Sequence, residues 1–226
     1  MLSLKKKSAV LALSAGLALS LAACGSDDAG TASTTATTEA SPTPAAAIDT
    51  LSGESTAVTL DPAFLEGLTA LMLTPATIGS ATLEGAVIDF PITGGNVTYF
   101  DPASGVDPYV QGLINHDGSG LQLTGANGSV VKLEDFVVDP AESVLTGRVT
   151  VNDEVFAESA PLFFLDGRTL NPLAVDEAAG TAVLEGTTVS LTQTAADALN
   201  MVFETDALAE FFPVGIAEIT VALPAS

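Results

Sequence analysis

Between Leu51 and Leu223 the hydrophobic positions fall into short runs, most of them alternating with polar residues and separated by turn-forming pairs. Alternation over four to eight residues is the signature of a strand with one face buried. It occurs at Val87-Ile88-Asp89-Phe90, Asn96 to Phe100, Tyr109 to Asn115 and Gly120 to Leu123. Further short apolar or alternating runs, also read as strands, are Val130 to Leu133, Phe136 to Val138, Ser143 to Val151, Ala160 to Leu165, Thr181 to Leu191 and Val214 to Ala222. Gly94-Gly95-Asn96, Asp117-Gly118, Asn127-Gly128 and Asn152-Asp153 supply the turn chemistry between them. Asn127-Gly128, set between Leu121-Gln122-Leu123 and Val130-Val131, is the clearest hairpin.

Two stretches follow a helical period instead. Asp61-Pro62 places a capping carboxylate and then a proline at the first helical position. Phe64, Leu65, Leu68, Leu71 and Met72 then share one face, and Pro75 is expected to end the helix. Thr194-Ala195-Ala196-Asp197 reads as a capping box opening a second helix that carries Ala198, Leu199, Val202 and Phe203. A shorter turn through Leu208 and Phe211-Phe212 precedes Pro213. Phe163 and Phe164 are adjacent in a strand and so face opposite sides of it. The predicted fold is mostly β: an antiparallel β-sandwich or partly open barrel with two short helical inserts.

The N-terminal fifth has a different texture. Met1 to Lys7 is basic, Ser8 to Leu19 is apolar but short of a bilayer span, and Leu21-Ala22-Ala23-Cys24 comes directly after. This layout resembles the signal peptide and lipobox of bacterial lipoproteins. The resemblance implies cleavage before Cys24, diacylglycerol on its sulfur, and an extracytoplasmic location at a bacterial cell membrane. Gly25 to Ala47 is Ser, Thr, Ala, Asp and Pro, a composition that buries too little apolar surface to offset ordering. The organisation read from the chain is therefore a signal peptide over 1–23, a lipidated tether over 24–48 and one globular domain over 49–226.

Charge and composition remove several functions. The 226 residues carry 28 Asp and Glu against 6 Lys and Arg; three of those bases, Lys5, Lys6 and Lys7, fall in the signal region. The rest of the chain has no basic stripe for nucleic acid or for anionic lipid, so the lipid on Cys24 is the expected membrane contact. Mutual repulsion between such acidic domains favours a monomer facing an unknown envelope partner. One Cys and one His rule out a disulfide framework and a multi-cysteine metal centre.

No nucleophile elbow, zinc-protease helix, P-loop or dinucleotide fingerprint is present. A Ser–His–Asp triad through His116 and Asp117, or a carboxylate pair for glycoside hydrolysis, is formally available but unspecific. The reading is a non-enzymatic binding module, with an unidentified hydrolase ranked last. Asp101, Asp107, Asp117, Asp135 and Asp139 lie in or beside turns and offer oxygens to calcium, provided two or more converge. His116 sits at the end of a strand, at the mouth of the Asp117-Gly118 turn.

The phrase Gly112-x-Ile114-x-His116-x-Gly118-x-x-Leu121 resembles the strand–turn–strand signature of the HtaA haem-binding domain of actinobacterial surface proteins. That resemblance implies an extracellular β-sandwich in which a Tyr ligates haem iron and a His, here His116, hydrogen-bonds the Tyr. The family's Tyr lies well upstream, but Leu51 to Phe90 contains none; only Tyr99 and Tyr109 are available as ligand candidates. More widely, the Ile-x-His-x-Gly, Asp-Phe-x-Val-Asp and Leu-Thr-Gly-x-Val phrases resemble uncharacterised secreted bacterial proteins. The expected cofactor is none, with haem as the alternative.

Overall fold

The computed structural model describes residues 42–224. The expected signal peptide, Cys24 and the expected tether up to residue 41 lie outside the described residues. Ser41–Ser226 form one compact unit with a continuous apolar core from Ile48 to Val221. Among the described residues no helix is long and apolar enough to cross a membrane.

The strands are β1 (Ala46–Ile48), β2 (Glu54–Leu60), β3 (Thr74–Gly79), β4 (Thr82–Glu84), β5 (Val87–Pro91) and β6 (Gly94–Tyr99). They continue with β7 (Val110–Thr124), β8 (Val130–Asp139), β9 (Val144–Val151), β10 (Glu154–Asp166), β11 (Ala174–Asp176), β12 (Thr181–Leu191) and β13 (Pro213–Ala222). Helix α1 spans Pro62–Ala70 and α2 spans Gln193–Phe203. All pairings are antiparallel, in the order β1-β6-β7-β8-β9-β10-β12-β13-β2-β5-β4. Off this path, β11 pairs with β12, and β3 pairs with the second half of β7. The result is a single curled antiparallel sheet, a half-barrel with two helices, within the class the alternating pattern predicts.

The curl brings β2 and β5, late in the strand order, against β7 near its start. No backbone ladder joins β7 to them. Thr93, just past β5, instead donates its N–H to Asn115 O at 2.8 Å. The ring of His116 completes the seam from inside.

Several local expectations are corrected. Residues 46–48, read as tether, are β1, paired with β6 through Ala46↔Tyr99. Helix α1 is capped as read, Asp61 Oδ1 accepting the Ala63 N–H at 2.7 Å, but it ends at Ala70. Met72 lies past the helix, largely exposed, and Leu73 takes the buried place instead. Pro75 lies in β3, which pairs only with β7, so its missing N–H breaks no ladder. Helix α2 starts at Gln193, not Thr194. Its cap is Thr192, whose hydroxyl oxygen accepts the Ala195 N–H at 3.1 Å, while Asp197 accepts from the Gln193 side chain. Gly94-Gly95 begins β6 rather than turning the chain.

The most consequential correction concerns Asp117-Gly118. β7 does not turn there; it runs unbroken from Val110 to Thr124 through a bulge between His116 and Gly120. A bulge draws on the same residues as a turn, because Gly118 at φ +72° and Asp135 at φ +53° on β8 take left-handed backbone. The Asp135 carboxylate accepts the freed Gly118 N–H at 2.9 Å and pairs with Arg148. The slip is visible in burial: Val131 and Leu133 face the core on one parity, Phe136 and Val138 on the other.

Candidate ligand-binding cavity

The concave face of the curled sheet encloses a cavity of about 900 Å³. Its wall is mostly aliphatic and aromatic: Val58, Leu60 and Phe64 from the β2–α1 stretch, Ile88 and Phe90 from β5, Val110 and Ile114 from β7, Phe136 from β8, and Val189, Ala217 and Val221 from β12 and β13. These residues point inward because each strand places every second side chain on one face. Phe90 packs edge-on against Phe136, and Phe136 against Phe163, at centroid separations of 5.3 and 6.4 Å.

All three candidate ligand residues, His116, Tyr99 and Tyr109, line this cavity, but at opposite ends. The lining residues at the tyrosine end include exposed Pro102, Asp107, Arg168, Val175 and Pro224, so the cavity opens there. At the other end Thr56, Phe90, His116 and Phe136 adjoin one another, are all buried and form a closed floor. Tyr99 is opposite Val110, six residues before His116 on β7. At about 3.3 Å per residue this places the tyrosine pair roughly 20 Å from the histidine along the strand.

At the floor, His116 is 1 % exposed and both ring nitrogens are engaged. Nδ1 lies 3.1 Å from Pro91 O and Nε2 lies 3.3 Å from Thr56 Oγ1. A carbonyl oxygen only accepts, so Nδ1 carries the proton. On a neutral ring Nε2 is then an acceptor and the Thr56 hydroxyl donates to it. Burial pushes the His116 pKa below 6.5, against weaker opposing effects from the Pro91 and Phe90 backbone and from Asp117 and Asp89. Neither ring nitrogen bonds a carboxylate. Ser119 donates its hydroxyl to His116 O at 2.9 Å, and Asp117 accepts from Thr93, so the Ser–His–Asp arrangement does not assemble.

At the mouth the two tyrosines meet edge to face at 6.0 Å. Tyr109 donates its hydroxyl to Gly167 O at 3.2 Å, and its pKa is raised by burial and then by Tyr99. Asp166 and Arg168 form an ion pair with Nη2–Oδ2 at 2.6 Å, holding the Asp166 carboxyl down to about 2 through the guanidinium hydrogen bonds. The turn aspartates serve the backbone locally: Asp101 caps Ala103, and Asp139 caps Ala141 and Glu142. Among the described residues no three carboxylates, histidines or cysteines gather in a geometry fit for a metal ion.

Protein-family models and curated proteins give no match to this chain. Among solved structures, the C-terminal domain of HtaA from Corynebacterium glutamicum aligns with a TM-score of 0.54 at 14 % identity, covering 77 % of this chain and 99 % of that one. The fold is HtaA-like. A domain-swapped dimer of a variant of the same HtaA domain aligns at 0.46 and 16 % identity, over 71 % of this chain and 88 % of that one.

Within this HtaA-like fold, sequence reasoning missed Thr56 and Pro91. Thr56 lies 60 residues from its partner histidine. Its signal is the alternation Thr56, Val58, Leu60, which places a hydroxyl on the inward face of an otherwise apolar strand. Pro91 acts through its carbonyl, for which side-chain identity gives no signal.

Proposed function

We propose that the protein is a non-enzymatic binding module that holds an apolar or amphipathic small molecule in the half-barrel cavity. In this reading it stands on the outer side of a bacterial membrane, tethered through a lipid on Cys24. The observation that carries the proposal is a blind cavity of about 900 Å³ with an apolar wall, a polar mouth and one buried polar pair at its floor. That volume and lining fall in the range of small-molecule sites.

Haem is the ligand that the HtaA resemblance implies, and the residues present do not fit the Tyr–His arrangement. From the start of the domain, where that arrangement needs a phenol, it is the Thr56 hydroxyl that reaches His116. Tyr99 and Tyr109 lie at the far end of the cavity, and Tyr109 is already bonded to Gly167 O. An alkyl hydroxyl donating to a histidine does not replace a phenolate as an iron ligand. Haem titration followed by absorbance tests this reading. No saturable Soret shift that depends on His116 is predicted. A shifted band that His116→Ala abolishes would overturn the reading in favour of haem.

A further inference from the structure

We propose that the ligand is a lipid alcohol, an apolar chain or ring system whose hydroxyl is the end buried deepest, received by Thr56 Oγ1. The inference rests on the proposed cavity function and adds the chemistry of the floor.

The chain of hydrogen bonds at the floor has a fixed direction. Pro91 O accepts from Nδ1, so Nε2 accepts from Thr56, and the one proton of the Thr56 hydroxyl is committed. Thr56 Oγ1 keeps its lone pairs, and the ring is its one hydrogen-bond partner. Phe90, whose ring lies 6.4 Å from that of His116, and Phe136, the cross-strand neighbour of His116 on β8, flank the pair with groups that neither donate nor accept. The floor therefore offers an acceptor and no free donor. A ligand ending in a hydroxyl satisfies it; one ending in an ether or carbonyl oxygen sets lone pairs against lone pairs, and a hydrocarbon leaves the acceptor bare.

Leaving water costs a hydroxyl more than it costs an ether or a methyl group. A long-chain alcohol then outbinds its own methyl ether only where a buried acceptor repays that loss. The test uses the protein lacking residues 1–40, whose remainder is a compact unit. An environment-sensitive naphthalene dye is bound and then displaced by 1-hexadecanol, by its methyl ether and by hexadecane. The alcohol is predicted to displace the dye at about three- to tenfold lower concentration than the ether, the worth of one net hydrogen bond. In Thr56→Val, where a methyl group covers Nε2, that advantage disappears while the ether and hydrocarbon bind as before. Thr56→Ser retains the advantage, which keeps the comparison available if the valine variant does not fold.

Equal displacement by alcohol and ether in the unaltered protein, or an alcohol preference that survives in folded Thr56→Val, overturns the lipid-alcohol inference and leaves the cavity reading in place. Failure of the dye and of all three compounds to bind overturns the cavity reading itself.

Discussion

Thr56→Val isolates the floor of the cavity. Valine keeps the β-branched shape and suits a strand, so the change removes one hydroxyl and little else. It leaves His116 Nε2, an acceptor on a ring that is 1 % exposed, without its donor. Stranding a buried polar group costs about 1–3 kcal/mol, and the 3.3 Å separation places this bond toward the weaker half, about 1–2 kcal/mol. For a domain of this size that lowers the midpoint of thermal unfolding by about 2–8 °C. His116→Leu, which strands the Thr56 hydroxyl and Pro91 O, is expected to cost a similar amount. The double variant discards both ends of the bond, so it should be more stable than the sum of the single losses by about 0.5–1.5 kcal/mol. Urea unfolding of the four proteins, followed by circular dichroism at pH 7.5, gives the cycle directly. Losses that simply add, or a Thr56→Val variant as stable as the parent, would show that the pair is adjacent without being bonded.

Other parts of the fold carry further expected outcomes. Because burial holds the His116 pKa below 6.5, the unfolded chain binds the extra proton. Its contribution to stability is therefore complete above about pH 6.5 and is lost as the pH falls below that value; urea midpoints between pH 7.5 and 5.5 should fall more steeply for the parent than for His116→Leu. Gly120→Ala should destabilise far more than Gly128→Ala. A Cβ on Gly120 would clash with Leu133 O, whereas Gly128 at φ +84° meets nothing within 4 Å and carries only the left-handed backbone cost of about 1–2 kcal/mol. Thr192→Ala removes the α2 cap and should cost about 1 kcal/mol by the same unfolding assay. Cys24→Ser should move the protein from the detergent phase to the aqueous phase in a Triton X-114 partition of whole cells, and unchanged partition would disprove the lipid anchor.

What the sequence made legible was local. Asp61-Pro62 announced α1 because capping and a fixed proline φ act within one turn. Asn127-Gly128 announced its hairpin, closed by Gly128 N–H on Gly125 O, because left-handed backbone is written in that dipeptide. β2 escaped notice since its inward residues begin with a threonine and its outward ones are small, leaving weak contrast between faces. Asp117-Gly118 misled for a physical reason: a bulge and a turn both need residues tolerant of positive φ, and only pairing with β8 decides between them. The candidate site was partly legible. His116, Tyr99 and Tyr109 do share one cavity, yet their separation depends on where each falls along β6 and β7. The partner that gives His116 its chemistry comes from β2, brought near by the curl of the whole sheet.

The central claim is that the half-barrel receives an apolar molecule. The most direct measurement is the fluorescence titration of the folded domain with the naphthalene dye, alongside Ala217→Phe, a variant that fills the cavity from a buried position on β13. The account predicts saturable, blue-shifted binding at one site, lost in Ala217→Phe while its urea midpoint stays at or near that of the parent. Dye binding of equal strength in parent and filled variant, with both folded, would place the dye elsewhere on the protein and contradict the account.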